Sequence, residues 1–133
     1  MSFGLMGVDW EERVNFERLR KYRLERAREA LKKSGCGAFL CYDIDNMRYI
    51  TAGHIGEWSR GKMVRYCLLP LEGDPILFDN GSAVQANRMA CPWLGEKGVQ
   101  PAIIWMRGAA PSNIPVDKHV NQIKSYLEEY RIA

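Results

Sequence analysis

The sequence predicts an α/β domain, a three-layer sandwich in which a mixed sheet lies between helices. Three observations predict it. Segments with helical periodicity alternate along the chain with short apolar, strand-like runs. A turn-rich stretch at 71–75 joins two of those runs closely enough for a hairpin, which places an antiparallel pair in the sheet. The chain has 133 residues, 47% hydrophobic and 26% charged, a balance that suits one domain with its own core.

The first element spans 10–34. It is rich in Glu, Arg, Leu and Ala, which are good helix formers, and Phe16, Leu19, Ala27, Ala30 and Leu31 recur near helical spacing. Gly35 stops it. Residues 38–42, AFLCY, form a short apolar run bounded by Gly37 and Asp43, read as a buried strand. Asp43 and Asp45 belong to turn or cap chemistry. Residues 47–51 form a short helix or tight connector, and 54–62 a loop. Residues 63–70 and 76–79 are the hairpin strands. Asn80-Gly81-Ser82 opens a helix that runs to about Ala90, with Ser82 as its cap, and Pro92 ends it. Residues 101–105, PAIIW, read as a further buried strand, and 107–114 as a loop. Pro115 suits the first turn of a last helix, where Val116, Val120, Ile123 and Leu127 mark one apolar face. Residues 1–9 are expected to be a loose extension, with the domain proper at 10–133.

Charge excludes more than it assigns. The net charge is +3, too mild to argue for nucleic acid. The basic residues between Arg18 and Lys33 alternate with Glu17, Glu25 and Glu29, which reads as a solvated helix face laced with local ion pairs. A phosphate-binding face is the alternative. Four cysteines, at 36, 41, 67 and 91, form no CxxC pair and sit among apolar neighbours, so they are expected to be buried free thiols in a reducing compartment. With no secretory signal and no membrane-length apolar run, the expected location is cytoplasmic, with no membrane partner.

The catalytic inventory is short. His54 and His119 are the two histidines, and no HExxH, GxSxG or phosphate-loop spacing occurs. His119 is expected to be structural or exposed. Asp43 and Asp45 lack the further ligands a metal needs. Residues 54–65 remain. They hold His54, Glu57, Trp58, Arg60, Lys62 and Arg65, and a Trp beside arginines makes a binding anchor with a bidentate fork for carboxylates. The competing reading is a Trp folded back onto the sheet with its charges in water.

A wider pattern runs from Arg18 to Gly53, RLRKYRLERAREALKKSGCGAFLCYDIDNMRYITAG. A basic amphipathic helix, a small-residue break, a strand and then N-x-R-Y-x-T-x-G follow in order. This resembles the amino-terminal domain of the creatinase/prolidase/Xaa-Pro aminopeptidase family, and the EGDPILFD turn with its strands is similar to the family's as well. Trp58, Arg65 and the apolar strand after them resemble the dimethylsulfoniopropionate-lyase branch. The resemblance implies a non-catalytic domain that caps an active site and builds a homodimer. It implies that Trp58, Arg60 and Arg65 are candidate substrate contacts, to which His54 is added from its place in the glycine-bearing segment, and that this chain itself holds no cofactor. The chemistry would belong to a carboxyl-terminal pita-bread catalytic domain with two divalent metal ions, whose linker would begin where this chain ends.

Overall fold

The computed structural model describes residues 13–53, 65–103 and 113–132. Among them the element order is α1 (Phe16–Ser34), β1 (Ala38–Cys41), α2 (Ile44–Thr51), β2 (Tyr66–Pro70), β3 (Ile76–Asp79), α3 (Gly81–Ala90), β4 (Val99–Pro101) and α4 (Asn113–Glu129). A single 3-10 turn, Pro92–Leu94, sits between α3 and β4.

Local chemistry sets the helix ends. The Asn15 side chain accepts from the Arg18 N–H at 2.9 Å and starts α1, so this helix begins after the position that composition alone suggested. Gly35, at φ 74°, closes it in the left-handed conformation. Asp43 caps α2 by accepting from the Asn46 N–H at 3.0 Å, which accounts for one of the two neighbouring acids as a cap. Asn80, not Ser82, caps α3, and its side chain accepts from the Ser82 N–H. A helix start can use any short polar side chain in extended backbone, so the geometry selects which one acts as the cap.

The four strands form one sheet in the order β1-β2-β3-β4. The first two pairings are antiparallel and the third is parallel. The predicted hairpin is present, with Cys67 opposite Leu77 and Tyr66 opposite Phe78. Its turn carries Gly73 at φ 108°, and the Tyr130 ring lies where a Cβ would stand, so both backbone and space require glycine there. The parallel β3–β4 pair needs a crossover, which α3 supplies.

Strand alternation divides the core into two clusters. One face of the sheet carries Cys41, Cys67, Leu69, Leu77 and Val99, packed under Leu24, Ala27 and Leu31 of α1, Met47 and Ile50 of α2, and Val84 of α3. The other face carries Tyr66, Leu68, Ile76 and Phe78, packed under Ile123, Tyr126 and Leu127 of α4. Helices therefore cover both faces of a four-stranded mixed sheet. No helix among the described residues is long and apolar enough to cross a membrane.

Three further expectations change. The last strand is Val99–Pro101 rather than 101–105; Ala102 and Ile103 lie beyond it, and 104–105 fall outside the described residues. The physical reason is register: Leu77, Phe78 and Asp79 pair with Val99, Gln100 and Pro101, so β4 can run no longer than β3 on that side. Next, β1 is a sheet edge rather than a buried strand, and Phe39 remains 43% exposed. Finally, the buried stripe of α4 is shifted. His119 and Ile123 are buried while Val120 is 41% exposed. The buried stripe passes through a histidine, which an apolar count leaves out.

That shift sets the cost of truncations on α4. Ile123→Ala is expected to destabilise the chain by about 2–3 kcal/mol, as buried Ile-to-Ala changes do, and Val120→Ala by under about 0.5 kcal/mol. Urea unfolding followed by circular dichroism measures both. Equal losses would mean that α4 is rotated from the described orientation.

Candidate functional site

Two polar clusters form at one end of the sheet, where β1 and β3 finish, β2 begins and β4 ends. Segment 54–65 rejoins the described structure there at Arg65. His54, Trp58 and Arg60 lie outside the described residues, so of the four candidates only Arg65 has a described position.

Arg65 precedes β2, and its side chain is 11% exposed. Its Nε donates to Oδ1 of Asp79, the fully buried last residue of β3. Pairing follows from the register: with Tyr66 opposite Phe78, the next rung brings residue 65 to residue 79 on the same face. The Asp79 carboxylate also accepts from the Asn80 N–H at 2.6 Å and from Nδ2 of Asn87 on α3. The guanidinium is thus held in place, and its buried Nη1 has no hydrogen-bond partner among the described residues. A carboxylate taken out of water is tolerated when a cation and further donors satisfy it, and removing one partner is costly.

The second cluster lies on the opposite face. Tyr42 Oη and His119 Nε2 are 2.5 Å apart. Tyr66 donates to Oε1 of Gln122 on α4 and accepts from the Ile103 N–H at 3.0 Å. Gln122 in turn donates to the Pro101 carbonyl at 3.0 Å. The Tyr66 ring stacks on Phe78 with centroids 4.6 Å apart and meets His119 edge-on at the same separation. Burial pushes the Tyr66 hydroxyl up to about 12 and raises Tyr42. Burial also lowers His119, favouring the neutral imidazole. Both phenols stay protonated at neutral pH. The cluster ties α4 to the sheet through hydrogen bonds. Sequence reasoning treated His119 as structural or exposed; the structure makes it structural and buried. It missed Tyr42, Tyr66 and Gln122, which lie far apart in the chain and carry no spacing signal.

The cysteines agree with their expected character in three cases. Cys41, Cys67 and Cys91 are buried, Cys36 is exposed, and all four are free thiols. Burial raises the thiols of Cys67 and Cys41, which removes nucleophilic character. Among the described residues no group of three or more His, Cys, Asp and Glu side chains could hold a metal ion.

The N-x-R-Y-x-T-x-G segment is α2 and its exit. The buried Thr51 hydroxyl donates to the Met47 carbonyl at 2.8 Å and accepts from the Gly53 N–H at 3.1 Å. The Thr51 carbonyl accepts from the Trp93 indole at 2.7 Å. A Cβ on Gly53 would stand 3.1 Å from Leu77 Cδ2, so the close approach of this turn to the central strand favours glycine. Thr51 and Gly53 thus seat α2 on the sheet, whereas Arg48 points to the surface. In comparisons with known proteins, no family model and no curated sequence matches the chain.

Two measurements test these clusters. Asp79→Ala leaves a buried guanidinium without its counter-charge and is expected to cost about 3–5 kcal/mol. The apolar double replacement Arg65→Met with Asp79→Leu should recover most of that loss in chemical unfolding. Separately, His119 titrates lower in the folded chain than its ordinary value of 6.5. The unfolded chain therefore binds more protons just below pH 6.5, and stability falls as pH drops through that window, by at most about 1.4 kcal/mol per pH unit. Relative to its own value at pH 7.5, His119→Gln should lose less stability at pH 5.5 than the wild type does; parallel losses would refute a buried neutral imidazole.

Proposed function

We propose that this chain is a non-catalytic amino-terminal accessory domain of a creatinase/prolidase/Xaa-Pro aminopeptidase-type metalloenzyme. In that role it caps the catalytic cleft, limits substrate length and contributes to a homodimer in the cytoplasm. The observation that carries the reading is the N-x-R-Y-x-T-x-G segment. It forms a short helix whose Thr51 and Gly53 seat it against the central strand, between a basic first helix and an antiparallel hairpin. That is the element order the resemblance implies. A four-stranded mixed sheet with helices on both faces is compatible with the domain.

The chemistry would reside in a partner domain of the same polypeptide. Two divalent metals there would activate a water for amide hydrolysis. No donor group among the described residues could hold those ions. This domain's contribution is exclusion of water and positioning of substrate. Trp58, Arg60, Arg65 and His54 would reach the cleft edge, with Arg65 fixed from behind by Asp79. A sulfonium or quaternary substrate, as in the lyase-like or creatinase-like branches, would suit Trp58 through its ring face.

A second reading, a free-standing binding module, is favoured by an open arginine-lined groove beside α1 and α2. The coding sequence downstream of codon 133 and the mass of the native product separate the two. An open frame carrying spaced Asp, Asp, His, Glu and Glu supports the accessory domain. A stop codon with a native product of 15.3 kDa overturns it.

A further inference from the structure

The basic first helix does not use its charges as its sequence suggests. Among the described residues the ion pairs are Arg65–Asp79 and the exposed Lys97–Glu129, and neither involves α1. Three of the α1 arginines, Arg20, Arg23 and Arg26, lie over rings instead. The Arg20 guanidinium carbon stands 4.1 Å from the Trp93 ring centroid, and that of Arg23 stands 5.4 Å from the Tyr49 ring centroid. Both belong to one groove of about 710 Å³, which Arg48 of α2 also lines.

A guanidinium lying on an aromatic face keeps its edge N–H donors directed outward in a fixed plane, the geometry that grips a carboxylate. The rings beneath are themselves fixed: the Trp93 indole donates to the Thr51 carbonyl, and Tyr49 is half-buried on α2. Three cations face one carboxylate, Asp45, in this groove. The first turn of α1, the positive end of its dipole, forms one wall. Along that wall Val14 and Phe16 are each 37% exposed, and Trp93 is 40% exposed.

We propose that this groove docks an acidic, aromatic-bearing peptide segment of a partner polypeptide, its carboxylates seated on Arg20, Arg23 and Arg48. Charge complementarity selects the sign of the occupant. The groove is far larger than an inorganic anion, and its mixture of exposed Trp, Phe and Arg is the composition that anchors peptide contacts. The inference stands whether the chain is an accessory domain or a free-standing module.

The probe is a fluorescein-labelled peptide of glutamates flanking one tryptophan, with its glutamine counterpart as control. Fluorescence anisotropy with the full 133-residue chain should show saturable binding of the acidic peptide only, weakened severalfold between about 50 and 200 mM salt. Arg48→Ala and Arg23→Ala should each weaken binding by about tenfold, with the circular dichroism spectrum unchanged. Lys124→Ala, an exposed basic position on α4, should leave binding within about twofold. Binding lost equally in Lys124→Ala, or retained in both arginine variants, overturns the groove as the site. Equal binding of the glutamine peptide overturns the charge argument. Displacement by inorganic pyrophosphate as effective as by unlabelled acidic peptide overturns the peptide as occupant. Should either arginine variant fail to fold, the wild-type backbone amide and indole resonances decide: acidic peptide must shift those of Trp93 and Tyr49, and shifts confined to α4 refute the proposal.

Discussion

The buried Asp79 carboxylate is the constraint on which one end of the fold depends. It has no exposed surface, so its charge must be answered from within the protein. Arg65 answers it from the start of β2, the Asn80 N–H from the entry to α3, and Asn87 from within that helix. The Asp79 carbonyl accepts the Ala102 N–H beyond β4 at 2.7 Å. One residue thereby ties together β2, β3, α3 and the exit of β4. An isolated buried carboxylate would cost several kcal/mol; distributed over these donors, it holds the end of the sheet where β2 begins.

The central hairpin then decides what each face is made of. Because successive side chains of a strand point to opposite faces, Cys67 and Leu69 pack under α1 and α2, while Tyr66 and Leu68 pack under α4. The first face is aliphatic and thiol-rich, and closes by shape. The second is aromatic, and its hydroxyl, imidazole and amide groups are joined by hydrogen bonds. Such a network fixes orientation as well as burial, since each buried polar atom demands a partner in a particular direction. It is the reason α4 presents His119 rather than Val120 to the sheet.

Three arginines of α1, Arg20, Arg23 and Arg26, lie over aromatic rings. Local pairing with the interleaved glutamates was the simplest expectation, yet exposed pairs of long side chains gain little. An aromatic face offers the guanidinium both dispersion and quadrupole attraction. Trp93 and Tyr49 come from elements distant in sequence, so helix periodicity gives no hint of them. The outcome is a surface that holds positive charge in place without neutralising it.

The sequence by itself determined the alternation of helices and strands and the hairpin with its glycine turn. These follow from local rules: periodicity, turn chemistry and the cost of exposing apolar side chains. Only the tertiary structure decided the end of β4, the exposed edge at Phe39 and the stripe of α4, because register and layer order depend on pairings between distant segments. It also decided the company of Arg65. In the chain, Arg65 stands with Trp58 and Arg60 as one basic cluster; in the fold, strand pairing brings it opposite a buried carboxylate fourteen residues away. Spacing along one segment records which groups share a loop. Which of them faces an opposite charge is fixed by the neighbouring strand.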